Sequence, residues 1–509
     1  EYLLGNLDQK YLTQLRRAGG LQSYPSRTKD PDTVDFSTGS VGLGAVAPLF
    51  AAVTRRYVDA HFGARPKSRF ISVIGDAELD EGNIWEALAD PATSGLGNVM
   101  WIVDFNRQSL DRIIPGVRIA QWRAQFEAAG WHVKEVKYGS KLKKVFEDSG
   151  SKTFKVWFDE IPNEQYQSLF GLTPKEARIR FLEGSPEGVS QFLDKYSDEE
   201  LFEILTDLGG HDISSLLETF KECDAVENKP SVVFAYTIKG WHLPIAGDKR
   251  NHSAQISKKQ IDELRTLLGI SESNEWSKFE PGSAEDSLCL SRAHSLKRPS
   301  SKAEISADFP HTAGIAPTGS SSSQEAFGRV LTEVSRNEAI RPYLVTTAPD
   351  VATSTNLGGF INRHGIFNKD VKREWNNNSI QKWVEGPKGQ HIELGISEMN
   401  LFTLLGQLGI SGDISDQPLI PIGTVYDPFV LRGLDAFIYS VYSGAKFIVA
   451  GTPSGITLAP EGGAHQSTIT PSVGVELPGV VLMEPAYAQS LDWLLCDALA
   501  HVAGAKKNT

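Results

Sequence analysis

Two polar residues, Asp76 and Asn106, each follow closely on an apolar run that predicts a β-strand. The runs cover residues 70–74 and 99–103, and the two polar residues lie 106 − 76 = 30 positions apart. A carboxylate, an amide and nearby main-chain carbonyls are hard oxygen ligands, which Mg²⁺ prefers in proteins. This set of oxygen donors therefore predicts a magnesium site that holds an anion such as a diphosphate.

A helix-like segment, residues 84–89, lies between the two runs and completes a predicted βαβ unit. In an open α/β sheet the carboxyl ends of such strands form the ligand crevice. Two other interpretations stay open at this point. One is an ordinary βαβ unit with a solvated acidic loop. The other is a Mg²⁺-dependent phosphohydrolase or a non-catalytic nucleotide-binding module that uses Asp76, Glu78 and Asp80.

Further charged residues that could bind a ligand lie at predicted strand ends or at the start of a predicted helix. Lys239 follows the predicted strand 231–237, where a lysine can reach a phosphate as a point charge, although a rim lysine without contacts is the alternative. Asp350 is a second strand-end carboxylate. Glu398 opens an apolar helix, where burial disfavours the ionised form. A solvated helix-start glutamate beside the helix dipole is the alternative there, and Glu393 is a nearby competitor.

Two polar, glycine-containing loops carry histidines. His252 lies in a loop that has the composition of a lid ordered by substrate, with His242 as its competitor. His465 lies in the glycine-rich stretch LAPEGGAHQSTITPS. An imidazole in such a loop can exchange protons near neutral pH, whereas a merely solvated histidine is the alternative.

The composition is typical of a globular protein with sizeable cores. Of the 509 residues, 40% are hydrophobic and 22% are charged, and the net charge of −12 argues against nucleic acid as a partner. No run approaches the ~18 apolar residues of a membrane span. The amino terminus lacks the shape of a signal peptide. Cys223, Cys289 and Cys496 lie far apart, so we expect no disulfide framework and a reducing, cytoplasmic location.

A stretch rich in Ser, Pro and Gly, residues 273–323, predicts a linker with few packed contacts between two α/β halves. We expect domains at 1–272 and 324–509. The chain is expected to open directly on a helix over 1–17, which suggests that upstream residues are missing. Further predicted elements are helices at 45–62, 324–336, 432–443 and 488–500 and strands at 343–347, 418–423, 446–450 and 480–483.

Several motifs together resemble one protein family. They are SYP, FSTGSVGLG, GDAELDE and VDFNRQSLD in the first half, and GISE and EGGAHQ in the second. They are similar to motifs of the thiamine diphosphate-dependent transketolase-like superfamily, and in particular of the homodimeric decarboxylating component of bacterial pyruvate dehydrogenase. Ala77 departs from the family's Gly-Asp-Gly pattern, and its Cβ makes a positive φ or a very close diphosphate approach costlier.

The resemblance implies an α/β fold with two of the family's three doubly wound parallel-sheet domains. Residues 1–272 would be the diphosphate-binding domain and residues 324–509 the pyrimidine-binding domain, with the carboxyl-terminal third domain absent. It also implies thiamine diphosphate and Mg²⁺ as cofactors. The metal ligands would be Asp76, Asn106 and the main-chain oxygen of Gln108.

The resemblance further assigns individual site residues. Glu398 would hydrogen-bond a pyrimidine nitrogen of the cofactor, His465 would face the reacting carbon, and His252 would match an active-site histidine of the family. Phe429 matches the stacking aromatic better than Tyr426 does. The implied cofactor-binding residues are Val41, Asp76, Ala77, Glu78, Asn106, Leu110, Lys239, Asp350, Glu398, Tyr426 and Phe429.

The implied activity is decarboxylation of a 2-oxo acid, with pyruvate as the expected substrate and a lipoyl-type group as the acyl acceptor. A homodimer is implied, and a lipoyl-bearing acyltransferase of a multienzyme complex is the expected partner, with no nucleic acid or membrane partner. A transketolase that moves two-carbon units between sugar phosphates shares the cofactor and both domains, and is the alternative enzyme.

Overall fold

The computed structural model describes residues 1–114, 116, 118–297, 303–315, 319–375 and 379–504. The chain folds into two compact units, numbered here in the order of their first residues. Unit 1 comprises Glu1–Phe70, Gly82–Ser94 and Ser287–Thr509, and unit 2 comprises Ile71–Glu81 and Gly95–Asp286. Helices and strands are numbered below in chain order. Unit 1 begins with helices α1 (Leu43–Phe62) and α2 (Gly82–Ala89).

Unit 2 is built on a four-stranded sheet in the order β1-β2-β4-β3. Its strands are β1 (Phe70–Gly75), β2 (Val99–Phe105), β3 (His132–Val136) and β4 (Ser231–Tyr236). The central strand β4 pairs in parallel with both β2 and β3, and all six of its residues are buried. A continuous apolar run such as SVVFAY is typical of a parallel strand that is covered on both faces.

Most helices of unit 2 pack around an apolar core that also includes Phe105 and Tyr236 of the sheet. The helices of this unit are α3 (Ile119–Ala128), α4 (Ser140–Phe146), α5 (Lys152–Glu160), α6 (Asn163–Ser168), α7 (Pro174–Leu182), α8 (Val189–Leu193), α9 (Asp198–Leu205), α10 (Ile213–Asp224) and α11 (Lys258–Leu267). Phe154, Phe158 and Phe181 meet edge to face or tilted in that core. Such aromatic pairs bury large apolar areas and fix the mutual placement of short helices.

Unit 1 holds a six-stranded parallel sheet in the order β10-β9-β5-β8-β6-β7. Its strands are β5 (Leu344–Pro349), β6 (Ile366–Phe367), β7 (Glu385–Gly386), β8 (His391–Leu394), β9 (Ile420–Val425) and β10 (Ile448–Gly451). After α12 (Ala284–Ser295), its helices are α13 (Ser323–Val334), α14 (Gly358–His364), α15 (Glu398–Gly409), α16 (Ser411–Ser415), α17 (Leu434–Tyr442), α18 (Thr470–Glu476) and α19 (Ala488–Val502). The α/β class expected from the sequence is confirmed.

Helix α15 is the central element of unit 1, because its residues are buried on almost every side. It packs against α1 on one side and α17 on another. Gly406 permits the close approach of α17, since a Cβ there would lie 2.2 Å from Ser440 Oγ. The Ser440 hydroxyl donates to the Phe402 carbonyl at 2.9 Å, and the rings of Phe402 and Phe437 stack 4.8 Å apart.

Two expectations from the sequence were wrong. Residues 1–17 contain only a 3₁₀ turn, Gln9–Thr13, because Leu3 and Leu15 stay exposed and a short helix without a packing partner is marginal. Residues 480–483 do not form a strand, because no described strand pairs with them and an apolar run alone does not create a ladder.

The predicted linker, residues 273–323, stays a prediction, and its residues 298–302 and 316–318 lie outside the described part of the chain. It contains helix α12, which has no buried residue, and its later part packs onto unit 1. Ile305 is buried, and the carboxylate of Asp492 accepts hydrogen bonds from Thr312 and from the Ala313 N–H. The expected domain limits of 272 and 324 remain a prediction. In the described part of the chain, no helix combines the length and the apolar character needed to cross a membrane.

We expect Gly433→Ala to lower the free energy of unfolding by about 1–3 kcal/mol, since overpacked positions lose that much. Its added Cβ would lie 2.6 Å from the Glu398 carbonyl oxygen and 2.4 Å from the Phe402 ring. Urea denaturation is the measurement. Gly463→Ala is the matched control, because a Cβ at Gly463 meets nothing within 4 Å. Equal losses in the two variants would contradict this packing argument.

Candidate functional site

Asp76 is the buried carboxylate at the centre of the first group of candidate residues, which lies in unit 2. It opens the 3₁₀ turn Asp76–Asp80 directly after β1. Its Oδ2 atom accepts the main-chain N–H of Arg107 at 2.6 Å. Burial raises the pKa of Asp76 to about 7, although the Arg107 N–H opposes that rise. A buried carboxylate of this kind favours a cation beside it, because a metal ion would repay the cost of desolvation.

Asn106, the second predicted ligand, is buried after β2 and held at both ends of its amide. Its Nδ2 donates to Asp104 at 3.0 Å, and its Oδ1 accepts the Gln108 N–H at 2.9 Å. The Thr237 hydroxyl donates to the other oxygen of Asp104. An amide oxygen has two lone pairs, so Asn106 Oδ1 keeps one acceptor site for a metal. Asp104 was missed from the sequence, although it too stands at the end of the β2 run.

Ala77 and Glu78 lie in the same 3₁₀ turn as Asp76. Ala77 is exposed and is not among the described non-glycine residues with positive φ, so the departure from the family pattern brings no left-handed strain. The Glu78 carboxylate accepts the Gly75 N–H at 3.1 Å and so closes the turn. Leu110, which was expected near the cofactor, is 60% exposed.

Lys239 and His252 come together in unit 2, with Lys239 Nζ 3.4 Å from His252 Nδ1. Partial burial lowers the pKa of Lys239, while the charges of Asp76 and Asp104 oppose that decrease. His242, the competitor of His252, instead packs its ring against Trp241, with the centroids 3.8 Å apart. The geometry thus favours His252 over His242 as the histidine beside Lys239, the residue predicted to bind the diphosphate.

His211 supports the strand end before Lys239 and was not singled out from the sequence. Its Nε2 accepts the Ile238 N–H at 2.9 Å, and its ring stacks on Trp241 at 4.2 Å. Burial lowers the pKa of His211 to about 4, so the ring is neutral at physiological pH. The motif GGHD, which contains His211, was the sequence feature that could have identified this residue.

Glu398 is the central residue of the second group, which lies in unit 1. It is the first residue of α15 and is only 5% exposed. Arg432 forms an ion pair with it, Nε to Oε2 at 3.1 Å, while the Arg432 side chain remains largely exposed. Glu393, the competitor, pairs instead with His391 in β8. Arg432 carries no sequence signal of its own and was missed.

Tyr426, Phe429 and His465 form an aromatic group in unit 1. The rings of Tyr426 and Phe429 lie nearly parallel with centroids 6.1 Å apart, and Phe429 meets His465 edge to face at 5.2 Å. Nδ1 of His465 is buried and has no hydrogen-bond partner among the described residues. Buried polar atoms are rarely left unpaired, so this nitrogen is suited to a ligand.

Val41 and Asp350 are the remaining predicted residues of unit 1. The Val41 carbonyl accepts Asn83 Nδ2 at 2.9 Å, and the following Gly42 is the left-handed N-cap of α1. The other amide atom of Asn83, Oδ1, is buried and has no partner among the described residues. Asp350 follows β5 with a positive φ of 61° and is exposed. Non-glycine residues with such backbones cluster at functional sites.

The donor set in unit 2 fits a magnesium ion better than a transition metal. Across the described residues, no three His, Cys, Asp or Glu side chains are grouped so that they would hold a metal. A set of one carboxylate, one amide oxygen and one main-chain oxygen is still compatible with Mg²⁺, which usually keeps waters and phosphate oxygens in its shell.

Family models match both parts of the chain. The model described as "Transketolase, thiamine diphosphate binding domain" matches residues 2–150, and the "Pyruvate dehydrogenase E1 component middle domain" matches residues 307–509. Solved transketolases share the fold. The enzyme from Leishmania mexicana has a TM-score of 0.66 at 17% identity, covering 98% of this chain and 64% of its own. A variant from Pichia stipitis has a TM-score of 0.69 at 16% identity, with the same coverage. The fold class is therefore that of the transketolases.

Curated relatives extend the similarity along the chain. The pyruvate dehydrogenase E1 component of Escherichia coli is 24% identical over 99% of this chain and 60% of the relative. That of Pseudomonas aeruginosa is 24% identical over 96% of this chain and 58% of the relative. One part of the chain thus matches a family model of a transketolase thiamine diphosphate-binding domain and another part matches one of a pyruvate dehydrogenase E1 middle domain, and the chain is similar along its length to pyruvate dehydrogenase E1 components. It spans about three fifths of the length of these relatives.

We expect Asp76→Asn to stabilise the metal-free protein and to do so more at pH 8 than at pH 5. The raised pKa means that ionised Asp76 opposes folding, by an amount that grows from its unfolded pKa up to about pH 7. The gain at pH 8 is at most about 4 kcal/mol. Thermal unfolding in the presence of a chelator is the measurement.

Asp80→Asn is the control for that experiment, because Asp80 lies in the same turn with a 66% exposed side chain. It is expected to leave the melting temperature nearly unchanged at both pH values. A loss of stability in Asp76→Asn at pH 8 would contradict the inferred burial cost.

Proposed function

We propose that this chain belongs to a thiamine diphosphate- and Mg²⁺-dependent enzyme that decarboxylates a 2-oxo acid, with pyruvate as the first candidate. One observation carries the proposal. The buried oxygen donors at Asp76 and Asn106 lie within the stretch similar to thiamine diphosphate-binding domains, and Glu398, Phe429 and His465 lie within the stretch similar to pyruvate dehydrogenase E1. The chain thus carries candidate residues for both ends of the cofactor.

In this proposal the unit 2 residues around Asp76 and Asn106 hold the diphosphate end of the cofactor. Asp76 Oδ1, Asn106 Oδ1 and the Gln108 main-chain oxygen would bind Mg²⁺, and Lys239 would bind the diphosphate. The remaining contacts would come from Ala77, Glu78 and Leu110 in unit 2 and from Val41, Asp350, Tyr426 and Phe429 in unit 1. The buried carboxylate and nearby lysine give such an anion–metal pair matched charges.

The unit 1 residues Glu398 and His465 would transfer protons at the pyrimidine of the cofactor and at the substrate. Thiamine diphosphate, when bound, supplies the carbon nucleophile and the electron sink for decarboxylation. Glu398 would hydrogen-bond the pyrimidine, and its pairing with Arg432 fixes the orientation of the carboxylate. The unpaired Nδ1 of His465 would donate to or accept from the substrate, and His252 would serve beside Lys239.

The acyl unit would pass to a lipoyl-type acceptor on an acyltransferase partner. We further propose a homodimer, in which the diphosphate-binding part of one subunit serves the pyrimidine-binding part of another, and a cytoplasmic location. The similarity to E1 components along 99% of the chain supports the 2-oxo acid over a sugar phosphate. The solved transketolases are only 16–17% identical to this chain, so their similarity supports the fold alone.

Isothermal calorimetry with thiamine diphosphate and Mg²⁺ tests the cofactor. We expect saturable binding that requires Mg²⁺ and is weakened at least tenfold by Asp76→Ala, because the loss of a buried ligand removes charge and geometry together. Asp80→Ala, in the same turn but exposed, is the control. Absence of binding, or binding that Asp76→Ala leaves untouched, would overturn the proposal in favour of a phosphohydrolase or a nucleotide-binding module.

Release of CO₂ from pyruvate, with ferricyanide as the electron acceptor, tests the substrate. We expect turnover of pyruvate and none of xylulose phosphate. Glu398→Gln should reduce kcat by about 10²–10⁴-fold, as is typical for loss of a proton-transfer group. Glu393→Gln, five residues earlier and paired with His391, should retain activity. Turnover of xylulose phosphate instead of pyruvate would point to a transketolase.

A further inference from the structure

The turn that carries Asn106, Arg107 and Gln108 is held by side-chain amides of helix α6, a part of the chain outside the predicted site. Gln167 Nε2 donates to the Asn106 carbonyl at 3.0 Å. Asn163 Nδ2 donates to the next carbonyl along, that of Arg107, at 3.2 Å. Two consecutive peptide units of the metal-ligand turn are therefore fixed by one helix.

The amides also form a chain among themselves. Gln108 Nε2 donates to Gln167 Oε1, and Gln167 Nε2 donates to Asn163 Oδ1 at 3.1 Å. Asn163 Nδ2 donates in addition to the Ile114 carbonyl at 2.9 Å, beyond the turn. Gln167 is fully buried, and Gln108 and Asn163 are nearly so. Such a satisfied, buried network is rigid, since breaking any one of its bonds leaves a polar group unpaired in the interior.

The strained backbone of Arg107 indicates that surrounding contacts hold the turn in place. Its φ is +62°, a conformation that L residues rarely adopt. Its guanidinium lies 5.5 Å from the ring centroids of both Tyr166, in α6, and Tyr236, and donates to the Thr237 carbonyl at 2.9 Å. A strained residue of this kind persists only where its surroundings enforce it.

We propose that Asn163 and Gln167 are positioning residues, which fix the turn 106–108 and thereby set the affinity for Mg²⁺ and thiamine diphosphate. The inference rests on the proposed function. Arg107 donates its main-chain N–H to Asp76 Oδ2, so a shift of the turn displaces Asp76, Asn106 and the Gln108 carbonyl together. Loss of an outer-shell partner of a metal ligand typically weakens metal binding by about 10–100-fold.

Gln167→Met is the test variant, because it keeps the side-chain length and removes both the donor and the acceptor. Gln165→Met is its matched control. Gln165 lies in the same helix and also donates two hydrogen bonds, but to the carbonyls of Arg180 and Glu183. Calorimetry gives the Kd for Mg²⁺ at a fixed concentration of thiamine diphosphate, and thermal unfolding without metal gives the stability.

We expect Gln167→Met to raise the Kd for Mg²⁺ about 10–100-fold, whereas Gln165→Met leaves it unchanged. High Mg²⁺ should restore the kcat of Gln167→Met, because Glu398 and His465 are untouched. Should Gln167→Met not fold, Asn163→Leu takes its place, with the same expected rise.

Two results would overturn the inference while leaving the proposed function intact. One is a folded Gln167→Met or Asn163→Leu protein that binds Mg²⁺ with the wild-type Kd. The other is an equal loss of affinity in Gln165→Met, which would reveal a general effect of stability. Failure of the wild-type protein to bind thiamine diphosphate and Mg²⁺ would overturn the proposed function, and this inference with it.

Discussion

One hydrogen bond, from the Arg107 main-chain N–H to the buried carboxylate of Asp76, joins the two strand ends of the candidate metal site. It links the 3₁₀ turn after β1 to the turn after β2, at the ends of two neighbouring strands. The bond is charge-assisted when Asp76 is ionised, and such bonds are about twice as strong as neutral ones. It does not offset burial fully, since the pKa of Asp76 still lies near 7. The buried carboxylate therefore favours a cation beside it.

In unit 1 the constraint is steric rather than electrostatic. Helix α15 is enclosed by α1, α17 and the sheet, so the direction of Glu398 follows from the packing of the whole helix. Gly406 and Gly433 make this possible, because a side chain at either position would collide with the neighbouring element. A carboxylate placed on a rigid helix keeps its geometry better than one on a loop. Its partner Arg432 keeps a largely exposed side chain.

Patterns in the sequence predicted much of this architecture, and the errors have physical causes. The apolar runs before Asp76 and Asn106 predicted strands correctly. Only β2 is buried on both faces, whereas buried and exposed residues alternate along β1. Residues 480–483 show the same pattern without forming a strand, since a strand also requires a partner edge. The motifs pointed to Asp76, Asn106 and Glu398, which are all buried, and the roles assigned to them stay predictions.

Supporting residues were harder to foresee than the candidate ligands. Arg432, Gln167 and Asn163 meet their partners through contacts between residues 34 to 61 positions apart, and no local periodicity encodes such pairs. Asp104 and His211 did carry weak signals, the first as a strand-end carboxylate and the second within GGHD. The roles of all these residues remain predictions until they are measured.

The edge of the unit 1 sheet has a practical consequence for handling the protein. Strand β10 is an outer strand of four small or apolar residues, Ile448–Gly451, and a groove of about 720 Å³ runs beside it toward residues 480–483. Val481 in that segment is 72% exposed. Uncovered apolar edges pair with other chains, so concentrated or partly unfolded samples are at risk of sheet-to-sheet aggregation there. A lysine or proline introduced on that edge would act as a gatekeeper against it.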